Sequence, residues 1–235
     1  MINSKKVLII IPAYNEEENI ENVVNNVLEE NNLVDVVVVN DGSKDDTLKR
    51  AQNTKATVID LPNNLGIGGA VQTGMIYAYK NGYDIAIQID GDGQHNPKYI
   101  KEMVNKINEG YDMVIGSRFV EKTNYKQTFF RMLGINITSA LIKAITGRKI
   151  YDTTSGFRAV NREIIEEFSK NYPYDYPEPE TNMKIVLKKK KVLEMPVEMR
   201  KRMAGKSFIT PIKSVKYMIK VTMSLMMAKL KLKEY

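Results

Sequence analysis

The chain contains no cysteine. That excludes a disulfide framework and any thiolate-ligated metal centre, and it suits a reducing compartment. Histidine is nearly absent too. His95 is the only one, so multi-histidine zinc sites are excluded, as is any Ser-His-Asp triad not built on that residue. No stretch reaches the ~18–20 uncharged apolar residues that a membrane-spanning helix needs. The apolar segment at 7–13 follows MINSKK directly and is too short for a signal-peptide core with its cleavage site. The expectation is a chain that is not exported.

Apolar residues are plentiful. At 43% of 235 residues they supply a large core, which suits one α/β domain with a small appendage. Charge is unevenly spread. Residues 184–235 hold 15 Lys/Arg against three Glu, a net +12, whereas residues 1–183 carry −5. A basic tail behind a mildly acidic body calls for a polyanionic partner, either membrane phosphates or nucleic acid.

Strand patterns alternate with helical ones over the first half. Strands are expected at 6–12, 34–40, 56–61, 83–90 and 111–117, and helices at 15–30, 45–54, 67–81 and 97–110. Asn15 is the expected cap of the first helix and Pro97 the first residue of the fourth. Such alternation implies parallel strands joined by right-handed crossovers. Residues 126–146 read as an apolar helix, 153–162 as a turn leading into a helix, and the proline-rich 171–180 as a loop.

Ligands of such sheets collect at the carboxyl ends of the strands. The unusual polar residues fall there: Pro12-Ala13-Tyr14-Asn15-Glu16, Asn40-Asp41-Gly42-Ser43, Asp90-Gly91-Asp92 and Gly116-Ser117-Arg118. Any one of these reads as an ordinary turn; four on one edge read as a site. Asp90 and Asp92 would repel unless a cation lay between them. Two carboxylates at a strand end suit Mg2+ or Mn2+, with nucleotide phosphates completing the shell. Gln94 and His95 are further candidate ligands, though His95 alone reads as a hydrogen-bonded loop residue. Asp41 can accept hydrogen bonds from a base or ribose. The glycines of NLGIGGAVQTG (64–74) have the wrong spacing and place for a dinucleotide fingerprint and read as close helix packing.

Taken in order, IIPAYNEEENI, VNDGSKDDT, NLGIGGA, the Asp-x-Asp at 90–92, GSR at 116–118 and SGFRA at 155–159 resemble the family 2 glycosyltransferases with the GT-A fold. DGDGQH, SGFR and RMAGKS (202–207) look like the polyprenyl-phosphate sugar synthases of the dolichyl-phosphate mannose synthase type. The resemblance covers roughly residues 6–208. It implies a GT-A domain over 1–210, with a mainly parallel, Rossmann-like sheet flanked by helices; residues 211–235 read from their own pattern as a tail of C-terminal amphipathic helices. It implies a nucleotide-sugar donor, a UDP-sugar ahead of GDP-mannose, and polyprenyl (undecaprenyl) phosphate as acceptor. By match to the family's motifs, Pro12, Tyr14, Glu16, Asp41 and Asp90 hold the nucleotide. Asp90, Asp92 and Gln94 manage the metal and diphosphate. Arg118 and Arg131 face the acceptor phosphate. Arg202 and Ser207 sit in a loop that closes on the donor phosphates. Asp92, Arg118, Arg131 and Arg202 form the expected catalytic set.

The chemistry is consistent with this reading. A lipid monophosphate has a second pKa of about 6 by analogy with other phosphate monoesters, so it attacks without a strong base. Charge management is what it needs. A sugar-hydroxyl acceptor, as in growing cell-surface polysaccharide, would need a base, for which Glu178, Glu180 and Asp152 are candidates. A non-catalytic nucleotide-binding scaffold is a third reading. In the tail, Lys213, Lys216, Lys220 and Lys231 fall on one helical face, with Ile212, Val215, Ile219, Leu225, Met226 and Leu230 on the other. Such a helix lies in a membrane interface or packs on the domain. The tail has few aromatics for base stacking, so nucleic acid is not expected. The expectation is peripheral attachment to an anionic membrane on its cytoplasmic face. Many relatives carry spanning helices after the catalytic domain and this chain does not, which suggests a small membrane partner protein.

Overall fold

The computed structural model describes residues 5–121, 129–175, 177–200, 220–227 and 229. Among the described residues, seven strands form one sheet in the order β3-β2-β1-β4-β6-β5-β7. They are β1 (Val7–Ala13), β2 (Asp35–Asn40), β3 (Thr57–Asp60), β4 (Ile85–Gln88), β5 (Met113–Ser117), β6 (Arg158–Asn161) and β7 (Val192–Pro196). Helices α1 (Ile20–Glu30), α2 (Thr47–Gln52), α3 (Gly66–Lys80), α4 (Ile100–Asn108), α5 (Phe129–Thr146), α6 (Arg162–Lys170) and α7 (Pro177–Leu187) pack around it. Residues 220–227 form a further helix.

The strand period of two divides the core. Ile9 and Ile11 of β1 face α1, α2 and α4 in one buried cluster. Leu8 and Ile10 face α3 and α6 in a second cluster, which also takes in Met183 of α7. Val221 and Leu225 of the terminal helix are buried in that second cluster. Both faces of the sheet are therefore covered, as the near-continuous apolar runs VLIII and DVVVV require.

The mainly parallel sheet is borne out, with β6 alone among the described strands running antiparallel, to both β4 and β5. Three other expectations are corrected. Residues 153–162 lead through a four-residue strand before α6 begins; Asn161 caps that helix by accepting from the Ile164 N–H at 3.0 Å. The proline-rich segment is a loop only at its start. Pro177 opens α7 and Pro179 lies in its first turn, where the N–H groups have no intrahelical partners to lose. At the chain's other end, α1 starts at Ile20, after a turn in which Asn15 holds φ +53°. Asn15 is thus a turn residue, not a cap. The close-packing role of the glycines in α3 is borne out: a Cβ at Gly68 would collide with the carbonyls of Pro173 and Tyr174, and one at Gly74 with Ile10.

Candidate active site

The ends of β1 and β2 are laced together. The Asp41 N–H donates to the Ala13 carbonyl at 2.8 Å, the Asn15 N–H to Ser43 Oγ at 3.0 Å, and the Glu16 N–H to Thr47 Oγ1 at 2.8 Å. Pro12 is buried in β1 beside Val39 of β2. Tyr14 stands out at this edge with 39% of its surface exposed. Asp41 is buried and its Oδ1 accepts from the Leu65 N–H at 2.7 Å, fixing the approach to α3. Glu16 accepts from Asn19 Nδ2 at 2.7 Å.

Asp90 follows β4 on the same edge. Its N–H donates to Nδ1 of His95 at 3.0 Å, so the neutral ring carries its proton on Nε2, which lies 3.6 Å from Asp90 Oδ2. The imidazole is buried and stacks on Phe157 at 5.0 Å. His95 is therefore a loop residue that orients Asp90, as one of its two expected readings held. Gly156 completes the setting: a Cβ there would lie 2.6 Å from Asp90 Oδ1, so only glycine lets the carboxylate rest against this loop. The backbone of Gly91 lies against the Pro12 carbonyl and Glu16, bringing the aspartate turn to the end of β1. Asp92 Oδ1 accepts from the Gln94 N–H at 3.0 Å. The Gln94 carbonyl in turn accepts from the Arg200 N–H at 2.8 Å, and Arg200 Nη2 donates to Asn96 at 3.1 Å. The chain thus enters residues 201–219 from beside the aspartate turn. Arg202 and Ser207 lie outside the described residues, as does the side chain of Arg131.

Arg118 lies at the end of β5 and is buried. Its Nε and Nη2 donate to the two oxygens of Asp152, each at 2.7 Å, and Nη2 also reaches Thr154 Oγ1 at 2.9 Å. The planar fork expected to meet an acceptor phosphate engages a carboxylate through Nε and Nη2. Asp152 is fully buried in this pair, which leaves it no room to serve as a base. Glu180 is occupied as well, by Lys184 at 2.7 Å and Ser224 Oγ at 2.6 Å. Glu178 differs. It is half-buried at the start of α7; burial pushes its carboxyl up, the charge of Asp90 adds to this, and Arg158 and Arg118 pull it down.

Sequence reasoning gave no role to Arg158, although SGFRA contains it, or to Gln88. Arg158 is buried, donating to Thr181 Oγ1 at 2.6 Å, Tyr172 Oη at 2.6 Å and Gln88 Oε1 at 3.0 Å. The available signal was Gln88 itself, a polar residue inside the otherwise apolar run of β4.

A pair of hard carboxylates at a strand end can hold Mg2+ or Mn2+ when substrate phosphates complete the shell. Among the described residues, no group of three or more His, Cys, Asp or Glu side chains could hold an ion unaided. Asp90, 40% exposed at its side chain, and half-buried Asp92 fit an ion shared with a ligand rather than a closed protein cage.

Fold and edge together define a GT-A domain. The chain covers 96% of itself and 80% of the glucosyl-3-phosphoglycerate synthase of Mycobacterium tuberculosis, solved with Mn2+, UDP-glucose and phosphoglyceric acid, at a TM-score of 0.71 and 19% identity. Glycosyl transferase family 2 matches residues 8–169, and the chain belongs to that family. It is 33% identical over 215 residues to the UDP-N-acetylglucosamine–dolichyl-phosphate N-acetylglucosaminyltransferase of Methanococcus voltae, covering 83% of this chain and 85% of that protein. It is 31% identical over 171 residues to the polyprenol monophosphomannose synthase of Mycolicibacterium smegmatis, covering 70% of this chain and 64% of that one.

Proposed function

We propose that this protein is an inverting, metal-assisted glycosyltransferase that moves a hexose or N-acetylhexosamine from a nucleotide diphosphate sugar to polyprenyl phosphate. A UDP-sugar is favoured over GDP-mannose, and undecaprenyl phosphate or a related lipid is the acceptor. The observation that carries this reading is the aspartate turn, in which Asp90 is fixed by His95 and Gly156 against the end of β1. The relatives named above use polyprenol-type lipid carriers, and the structural neighbour was solved with Mn2+ and UDP-glucose. Pro12, Tyr14, Glu16 and Asp41 line the nucleoside end. Asp90, Asp92 and Gln94 would hold the cation, which would supply positive charge to the leaving diphosphate. An oxygen of the lipid phosphate attacks the anomeric carbon as the bond to the nucleoside diphosphate breaks, so one displacement inverts the centre. Arg131 meets the acceptor phosphate, and Arg202 and Ser207 close over the donor from a segment that departs beside Gln94. Arg118, through Asp152, positions the loop around Thr154 and the end of β5. The acceptor places the enzyme on the cytoplasmic membrane face, held by its basic tail or a small membrane protein.

One observation favours a second reading, transfer to a sugar hydroxyl. Glu178 is the one candidate base not tied up by a buried pair or a double contact, and its raised carboxyl suits proton abstraction.

The test is a panel of nucleotide sugars assayed with short-chain polyprenyl phosphate and with Mg2+ or Mn2+, the product identified by mass. Lipid-phosphate sugar is the expected product; turnover only with a glycan acceptor selects the second reading. Asp92→Asn should lower metal-dependent turnover at least ~100-fold while the protein stays folded, the scale of losing one preorganised charge contact. A near-wild-type rate that still required metal would remove Asp92 from the site.

A further inference from the structure

Behind Glu178 lies a polar cluster that neither reading above employs. On α7, Thr181 and Asn182 stand three and four residues after Glu178 and share its face of the helix. Thr181 is joined to Arg158, and Arg158 to Gln88 and Tyr172. Gln88, Arg158 and Asn182 are all at least nine-tenths buried. Yet Nε2 of Gln88, Nε of Arg158 and both amide atoms of Asn182 have no hydrogen-bond partner among the described residues. Buried polar groups are almost always satisfied, so an unsatisfied set beside an open edge points to a polar ligand or to water that such a ligand displaces.

Position narrows the ligand. Gln88 Nε2 and the Asp90 carboxylate both lie against Gly156, so the cluster reaches from α7 to the aspartate turn. In the proposed reaction the sugar sits between the diphosphate end, at Asp90, and the acceptor end. The loop leading into α7 is pinned on α3 at Gly68, which fixes where Glu178 projects. We propose that Glu178 hydrogen-bonds a hydroxyl of the sugar being transferred, and that with the cluster behind it this residue selects which nucleotide sugar is used. The inference rests on the nucleotide-sugar reading above. A site built to hydrogen-bond a particular hydroxyl rejects sugars that lack it or present it elsewhere, because the polar groups behind are then left unpaired.

The full chain is assayed with UDP-glucose, UDP-galactose, UDP-N-acetylglucosamine and GDP-mannose, short-chain polyprenyl phosphate and Mn2+. UDP and GDP binding are measured separately. For the best donor, Glu178→Ala should lower kcat/KM about tenfold or more and narrow the gap between best and second-best donors. The affinity for the matching sugar-free diphosphate should stay within about twofold. Glu178→Gln, which keeps shape and hydrogen bonding, should keep most activity. Should Glu178→Ala fail to fold, Glu178→Asp, which draws the carboxylate back by one methylene, carries the same expectation of narrowed donor preference. Unchanged donor ranking in folded Glu178→Ala or Glu178→Asp overturns the inference. Complete loss in folded Glu178→Gln overturns it too and makes Glu178 a base. A wild-type protein that turns over no donor in the panel removes the nucleotide-sugar reading itself, and the inference with it.

Discussion

Arg118 and Asp152 meet through two parallel hydrogen bonds in a buried setting. Deleting one partner leaves an uncompensated charge inside the protein, at a cost of about 3–5 kcal/mol. Arg118→Ala should therefore lower the unfolding free energy by that much and shift the denaturant midpoint down accordingly, and lost activity there reports lost structure before it reports a lost phosphate contact. A midpoint near wild type would return Arg118 to the acceptor. Glu178 gives a pH signature of the opposite kind. Its folded-state pKa lies above that of the unfolded chain, so the folded protein holds this proton longer. Stability is then highest below the ordinary glutamate pKa of about 4.3 and falls as pH rises towards the raised value. Glu178→Gln should remove that slope and stabilise the protein at neutral pH, with no gain at acid pH; thermal melts across pH check it. At this scale the aspartate pair, Asp41 and the β1 terminus were legible because strand ends announce themselves in sequence. The Arg118–Asp152 pair was not. It joins residues 34 positions apart, and an arginine meant for a ligand looks the same on paper as one meant for a carboxylate.

Among elements, the terminal helix is the informative one. The sequence placed Leu225 and Met226 together on one apolar side. In the structure Leu225 is fully buried in the second core cluster while Met226 is 52% exposed, because neighbours on a helix point about 100° apart. Met223 and Met227 stand out with Met226, and Ser224 reaches Glu180 on α7. The helix both packs on the domain and presents a methionine face. Leu225→Ala should cost about 2–5 kcal/mol, whereas Met226→Gln should shift stability by no more than about 0.5 kcal/mol. Paired denaturation curves check this, and equal effects would mean the helix is not docked as described. Strand β6 and the start of α7 escaped the sequence reading for a physical reason. Four residues, RAVN, are too few to show a period, and prolines that usually mark loops are tolerated in a first helical turn.

For the molecule as a whole, charge polarity is the organising property. The net +12 lies in residues 184–235, but part of it is spent internally: Lys184, Lys188 and Lys190 pair with Glu180, Glu167 and Glu163. In the proposed membrane attachment the work therefore falls to lysines further along the tail, of which Lys213 and Lys216 lie outside the described residues, each worth about 1 kcal/mol near a membrane surface. Lys213→Glu, Lys216→Glu and Lys220→Glu together should weaken co-sedimentation with anionic vesicles, and high salt should do the same. A salt-resistant remainder should follow the exposed methionines. Binding indifferent to salt and to all three changes would leave the tail a packing helix only. No helix among the described residues is long and apolar enough to cross a membrane.

The antiparallel strand has a consequence for how the chain is made. β4 pairs with β1 and β6 but not with β5, so the sheet is two blocks, β3-β2-β1-β4 and β5-β7, joined only through β6. A growing chain can assemble the first block early, yet IAIQ of β4 then lies as a bare, uncharged edge, the kind that pairs with other chains. That edge stays open until RAVN has been synthesised. Gly156, which cradles Asp90, and Arg158, which anchors Gln88, arrive with the same few residues. Protection from aggregation and completion of the site thus come in one event, and a nascent chain stalled before it is both unprotected and inactive.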